Sequence, residues 1–239
     1  MSNIYIDGIG GFDGGEYSEI RIDGIGKCLG SFRSDCLLVD GAFHCRGNID
    51  TVFFECNGNM DIWGDLSADK MEIDGMLNIQ GCNRLEANCI CCEGAISISG
   101  HIMTDIMVKR ADINGALSVR GNGKIEGDEI YCDGALHIEG QISADIVSID
   151  GIVTAREIVG DIITIDSFAK PPPVFGACSV IGTIEATNIE LSGVTARTVN
   201  GSNIVIGPGC RISSIDCNGT LSIDRSSIVN KITGNYTRI

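Results

Sequence analysis

The stretch Gly134-Ala-Leu-His-Ile-Glu-Gly-Gln-Ile-Ser-Ala-Asp-Ile-Val-Ser-Ile-Asp-Gly151 holds the pattern from which the fold is read. Between Gly134 and Gly140 apolar and polar residues alternate, and period-two alternation bounded by glycines marks a short strand with one buried face. Ile142 and Ala144 supply a further pair of inward positions, and Ile149 precedes the next corner, Asp150-Gly151. Three short faces, each with about two inward residues, describe one triangular turn of roughly 17 residues.

The unit repeats on both sides. A polar residue followed by Gly recurs at Asp7-Gly8, Asp23-Gly24, Asp40-Gly41, Asn57-Gly58, Asp74-Gly75, Glu93-Gly94, Asn114-Gly115, Asp133-Gly134 and Asp150-Gly151, at intervals of 16, 17, 17, 17, 19, 21, 19 and 17 residues. In eight of these units a second Gly follows six residues after the first, from Gly8/Gly14 to Gly134/Gly140. Stacking the units aligns Ile6, Ile22, Val39, Cys56, Ile73, Cys92, Ile113, Cys132 and Ile149 in one column. Phe12, Cys28, Cys45, Ile62, Ile79, Ile98, Val119 and Ile138 form another. Leu66/Ala68 and Leu85/Ala87 match Ile142/Ala144.

Longer intervals are read as corner insertions: two residues near Cys82-Asn83, two near Asn122-Gly123, and four within residues 102–113 around Lys109-Arg110. Beyond Gly151, Val153-Thr-Ala-Arg is echoed by Val194-Thr-Ala-Arg 41 residues later, which is two turns plus an insertion. The insertion is assigned to Phe168–Phe175, because Pro171, Pro172 and Pro173 cannot donate to a strand ladder.

The chain therefore reads as all-β, a single-stranded parallel β-helix of about a dozen rungs, ~55–60 Å long at 4.8 Å per rung. One domain spans 1–239, with regular rungs over 4–167, the Pro-rich insertion at 168–175 and less regular rungs over 176–232. Composition agrees: 32 Gly, 44% hydrophobic residues and only 5% aromatics suit many short strands joined by tight turns.

A net charge of −15 argues against nucleic acid and anionic membrane surfaces as partners. No run of 18 apolar residues predicts an integral membrane segment, and Met1–Asp7 lacks the pattern of a signal peptide. The expectation is a cytoplasmic protein whose 12 cysteines are thiols.

The Asp/Asn-Gly corners read as turn chemistry rather than a calcium row: Asp and Asn tolerate left-handed geometry and Gly supplies positive φ. Cys89-Ile-Cys91-Cys92 has half the spacing of a zinc site, but Cys92 shares an inward column with Cys56 and Cys132, while Cys28 and Cys45 share another. Cys36, Cys82, Cys91 and Cys210 fall outside these columns and are expected to be exposed. Of the three histidines, His44 and His137 share an outward position several turns apart, and His101 follows the corner Gly100. No nucleophile motif or phosphate loop accompanies them, so the chain reads as a non-enzyme without a cofactor.

Two β-helix enzyme classes offer comparison. Hexapeptide acyltransferases build each triangular turn from three successive hexads, whereas one glycine-bounded hexad per turn occurs here. Polysaccharide lyases and hydrolases use larger turns with clustered catalytic residues.

The unit Gly134–Gly151, and Ile22-Asp-Gly-Ile-Gly26 with it, resembles the core repeat of bactofilins, and the likeness extends more weakly across most of the chain. The resemblance implies a right-handed β-helix in a bacterial cytoskeletal scaffold. It also implies subunits that join end to end into non-polar filaments without a nucleotide. In that family a terminal-rung Phe contributes to polymerisation; the last Phe here is Phe175.

Independently of any family, an uncapped β-helix ends in an unpaired strand edge and an apolar cross-section, which favours edge-to-edge association. The candidates are Ile4, Ile6 and Phe12 at one end, and Leu221, Ile223, Ile228 and Ile232 at the other. The alternative is that Met1–Tyr5 or Lys231–Ile239 folds across an end as a cap. The partner expected first is a second copy of the chain. A binding scaffold presenting Pro171–Pro173 as a docking loop, and an acyltransferase-like enzyme with a histidine at a subunit boundary, are the other readings.

Overall fold

The computed structural model describes residues 2–82, 84–99, 105–167 and 179–239. The chain is an all-β, all-parallel β-solenoid of about 13 turns with roughly 17 residues per turn. One inward column can be followed from end to end: Ile4, Ile20, Leu37, Phe54, Met71, Ile90, Ala111, Ile130, Val147, Ile163, Ile189, Ile204, Leu221 and finally Arg238, each paired with the next.

Six inward columns line the interior, two per face. The column from Ile6 to Ile149 and the column from Phe12 to Ile138 stack as the sequence pattern predicts. Another runs Phe43, Met60, Leu77, Ile96, Leu117, Leu136 and Val153. Apart from Ile6 and Phe12 in the first rung, these side chains are buried almost completely, and at ~25 cal/mol per Å² of apolar surface their burial dominates stability.

Backbone spacing explains the corner glycines differently from the sequence reading. Among the described residues no residue other than glycine has positive φ, and none of the seven positive-φ glycines is the first of a corner pair. The reason for Gly is close stacking. A Cβ added at Gly24, Gly41, Gly58, Gly75, Gly94, Gly115, Gly134 or Gly151 would lie 1.9–2.2 Å from the carbonyl oxygen of the corner glycine one turn earlier. The corners stack this tightly because the Asp23 and Gly24 N–H groups both donate to the Ile6 carbonyl, at 2.9 and 3.0 Å. The arrangement repeats at Asp40-Gly41 on Ile22 and at Asn57-Gly58 on Val39.

The register also relocates one insertion. Ile98 pairs with Ile79 at an offset of 19, whereas Ile106 pairs with Leu85 at 21, and that offset stays constant through Ile113. The added residues therefore lie between Ile98 and Ile106, not around Lys109-Arg110, which sit in an unbroken ladder. By the same measure the insertions after Gln80 and after Arg120 fall at this same corner. From Ala155 onward the corner needs only three steps between inward residues, as from Ala155 to Ile158, and the strand runs through it without a break.

The offset of 26 between Ile163 and Ile189 carries the third kind of insertion. It is bracketed by a buried clasp: Ser167 Oγ lies 2.6 Å from Ser179 Oγ, and the Val153 N–H donates to Ser179 Oγ at 3.0 Å. Pro171, Pro172, Pro173 and Phe175 lie outside the described residues, as do Gly100 and His101.

Candidate assembly surfaces

At the N-terminal end the first rung is formed by Ser2–Ile6 and Ile9–Phe12, each paired on one side only, with Gly15–Ile22 and Ile25–Cys28. Among the described residues nothing pairs with its outer edge. Ile4, Ile6 and Phe12 are partly buried and pack on the core, so the three lie in one terminal layer. Gly10 and Gly26 occupy the inward column that Phe43 continues, and the missing side chains leave room that aromatic rings fill. Phe12 stacks on Phe43 at 5.8 Å and meets Tyr17 and Phe32 edge-on at 5.4 and 5.5 Å. This aromatic layer is absent from the sequence reading; two glycines facing large apolar neighbours in adjacent rungs were its signal.

At the opposite end Ile228–Thr233 and Thr237–Arg238 pair with Arg211–Ile223. The segment 231–239 thus extends the ladder, with the Ile239 N–H donating to the Leu221 carbonyl at 3.1 Å, and does not fold across the end. Two of the four expected end residues are displaced. Leu221 is fully buried beneath Arg238, one rung inside. Ile228 pairs with the outward-facing Arg211 and points sideways, 55% exposed. Ile223 and Ile232 do sit in the terminal layer, joined by Val229.

The cysteines divide by face rather than by motif. Cys82 and Cys210 are buried, which corrects the expectation that they are exposed; Cys36 and Cys91 are half-buried. Cys210 sits at an inward position beside Val194, and Cys82 turns in at a corner with a burial-raised thiol pKa of about 11. Cys89 and Cys91 lie on the outer face with sulfurs 3.8 Å apart, while alternation sends Cys92 inward, so the three thiols do not converge. Burial and the neighbouring Cys89 thiol push Cys91 up to about 11.

His44 and His137 occupy one outward column, five pairings apart, and His44 Nδ1 meets Asp61 Oδ2 at 3.0 Å. Outward polar ladders run along the faces and corners. Arg21 bridges Asp23 and Asp40, and the Asn57 amide donates to Asp40 Oδ1 at 2.9 Å, so cations and amides separate carboxylates that would otherwise stack. A shallow groove of about 610 Å³ runs over Ala87, Val108, Gly127, Ala144 and Gly160, where one inward column shrinks to small residues. Trp63, Leu29 and Arg46 flank a cavity of about 500 Å³ beside Lys27 and His44.

Comparison with known proteins adds one partial relative. A stretch of 63 residues is 35% identical to the uncharacterized protein YhbE of Bacillus subtilis (strain 168). The match spans 26% of this chain and 25% of that protein. No family model matches the chain, and no solved structure matches it. No helix among the described residues is long and apolar enough to cross a membrane.

Proposed function

We propose that this chain is a non-enzymatic structural protein that self-associates through the two ends of its β-solenoid, as a bactofilin-like scaffold. One observation carries the reading: among the described residues each terminal rung pairs on one side only and bears an apolar layer, Ile4, Ile6 and Phe12 at one end and Ile223, Val229 and Ile232 at the other. An unpaired strand edge over an apolar cross-section is a template for another strand. A cytoplasmic setting belongs to the same proposal.

Electron microscopy of the purified full chain, with light scattering across a concentration series, tests this. Filaments or end-to-end oligomers that form without nucleotide are the expected result. A monodisperse monomer at high concentration overturns the reading.

A further inference from the structure

Beyond assembly, we infer that the cavity between Leu29 and Trp63, on the side of the solenoid, binds a small aromatic anion: a flat ring carrying a phosphate or carboxylate group.

Register builds this cavity. Leu29, Arg46 and Trp63 each follow an inward residue, Cys28, Cys45 and Ile62, and those three pair from rung to rung. The followers therefore stack at one corner, with Arg46 between two apolar side chains. On the adjoining face Lys27, His44 and Asp61 pair directly in the neighbouring column. The Arg46 N–H donates to the Cys28 carbonyl at 2.9 Å, so the ladder itself holds the corner in place. A volume of about 500 Å³ suits a small molecule, for which pockets run from ~300 to ~1,000 Å³.

Charge selects an anion. The chain has 32 Asp and Glu against 17 Lys and Arg, and elsewhere Arg21, Lys70, Arg84 and Arg110 are each paired with a carboxylate. Lys27 and Arg46 are exposed and join no ion pair among the described residues. No Asp or Glu lines the cavity, whereas the groove over Ala87–Gly160 is lined by Glu86, Glu126, Asp128, Asp145 and Asp161. The carboxylate beside the cavity is already engaged: Asp61 Oδ2 meets His44 Nδ1 at 3.0 Å, and Oδ1 accepts from the Asn78 amide at 3.1 Å. Asp13 continues the corner column, but Leu29 stands between it and Arg46. A guanidinium offers a planar fork that matches phosphate or carboxylate, and Lys27 adds a second positive charge.

Trp63 selects a ring. It is the one tryptophan of the chain and is 56% exposed. Among the described residues no aromatic or cationic side chain covers its face. Leu29, 71% exposed, supplies a second apolar wall on the other side of Arg46. Aromatic rings stack on an indole face. Neighbouring rungs lie ~4.8 Å apart, so a ring against Trp63 brings its anionic substituent within reach of Arg46 one rung away.

Trp63 reports its own occupancy, because fluorescence excited at the red edge of protein absorption comes from it alone. The full chain is titrated with phenyl phosphate, with inorganic phosphate (the charge alone) and with phenol (the ring alone). Phenyl phosphate is expected to give a saturable change, with a Kd at least about tenfold below that of either partial probe. Arg46→Gln should weaken that binding about tenfold, as loss of a charge-assisted hydrogen bond does. Arg120→Gln, which removes the same charge from the same corner column farther along, should leave it unchanged. Thermal melts check folding, and Lys27→Gln is a second variant expected to weaken binding should Arg46→Gln melt early. No saturable change overturns the assignment, as does phenyl phosphate binding no tighter than a partial probe. Binding untouched in a folded Arg46→Gln or Lys27→Gln protein, or weakened equally in Arg120→Gln, also overturns it. The cavity lies on the side of the stack, so monomeric and assembled protein give the same titration, and its failure leaves end-to-end assembly standing.

Discussion

Gly58 shows how much of the fold is held by an absent side chain. A Cβ there would sit 1.9 Å from the Gly41 carbonyl oxygen, and that carbonyl is itself held by the Asn59 N–H at 2.9 Å. The clash is with backbone on both rungs, so it cannot be relieved by a rotamer change. Gly58→Ala is expected to cost about 3 kcal/mol or more, among the larger losses seen for single substitutions. Gly81 provides the contrast. Its φ is +63° and nothing lies within 4 Å of an added Cβ, so Gly81→Ala should cost only the left-handed penalty, about 1–2 kcal/mol. Urea unfolding of both variants separates stacking from φ as the reason for glycine. In the sequence the two glycines look alike, each following a polar residue at a strand end. The difference lies in what the neighbouring turn places against them.

At the scale of elements, the chain alternates between two ways of turning a corner. The earlier rungs break at glycines, and the later ones bend within strands of 13 to 15 residues such as Ile152–Asp166 and Val194–Ile206. The insertion between Ile152–Asp166 and Ser179–Ser192 is bracketed at Ser179, which is fully buried and accepts the Val153 N–H while contacting the Ser167 hydroxyl. Removing that oxygen strands a buried amide donor, at a cost of about 1–3 kcal/mol. Ser179→Ala should therefore lower stability by about 2 kcal/mol, read as a shift of the denaturant midpoint at unchanged slope. The 41-residue echo of Val153-Thr-Ala-Arg in Val194-Thr-Ala-Arg was legible as two turns plus an insertion, and the ladder pairs the segments through one intervening rung as that reading requires. The serine clasp was not legible. Two hydroxyls 12 positions apart become partners only once the register of the ladder has fixed where Ser167 and Ser179 lie.

Across the whole molecule, cysteine supplies part of a continuous apolar interior. Burial pushes the Cys45, Cys56 and Cys132 thiols up to about 12, and those of Cys82 and Cys92 up to about 11. In the unfolded chain these thiols ionise near their usual pKa of about 8.5. The folded state then holds its protons more tightly than the unfolded state. The stability this contributes is fully present below about pH 8.5 and is lost as pH rises toward the folded values of 11 to 12. Denaturant midpoints measured from pH 7 to 11 should stay level at first and then fall steadily above pH 9. Replacing Cys45, Cys56 and Cys132 by Val should flatten that decline, while a control replacement of the half-buried Cys36 should alter it less.

The sequence by itself determined the class of fold, the length of the turn and the inward columns. Period-two alternation and recurrent glycines are local properties of one chain segment, and a repeat displays them again and again. It also put Ile6 and Phe12 at the N-terminal ends of two columns, because the pattern of each column begins there. Only the tertiary structure decided which rung is last, and so that Leu221 lies under Arg238 while Ile228 points aside. It decided that 231–239 lengthens the ladder and does not cover it, and that the corner glycines answer to a carbonyl one turn away. These facts depend on contacts between residues some 17 positions apart, and the position of a corner within such a contact is set by register. A one-residue change of register would leave the local pattern of each strand intact and exchange every inward side chain for an outward one.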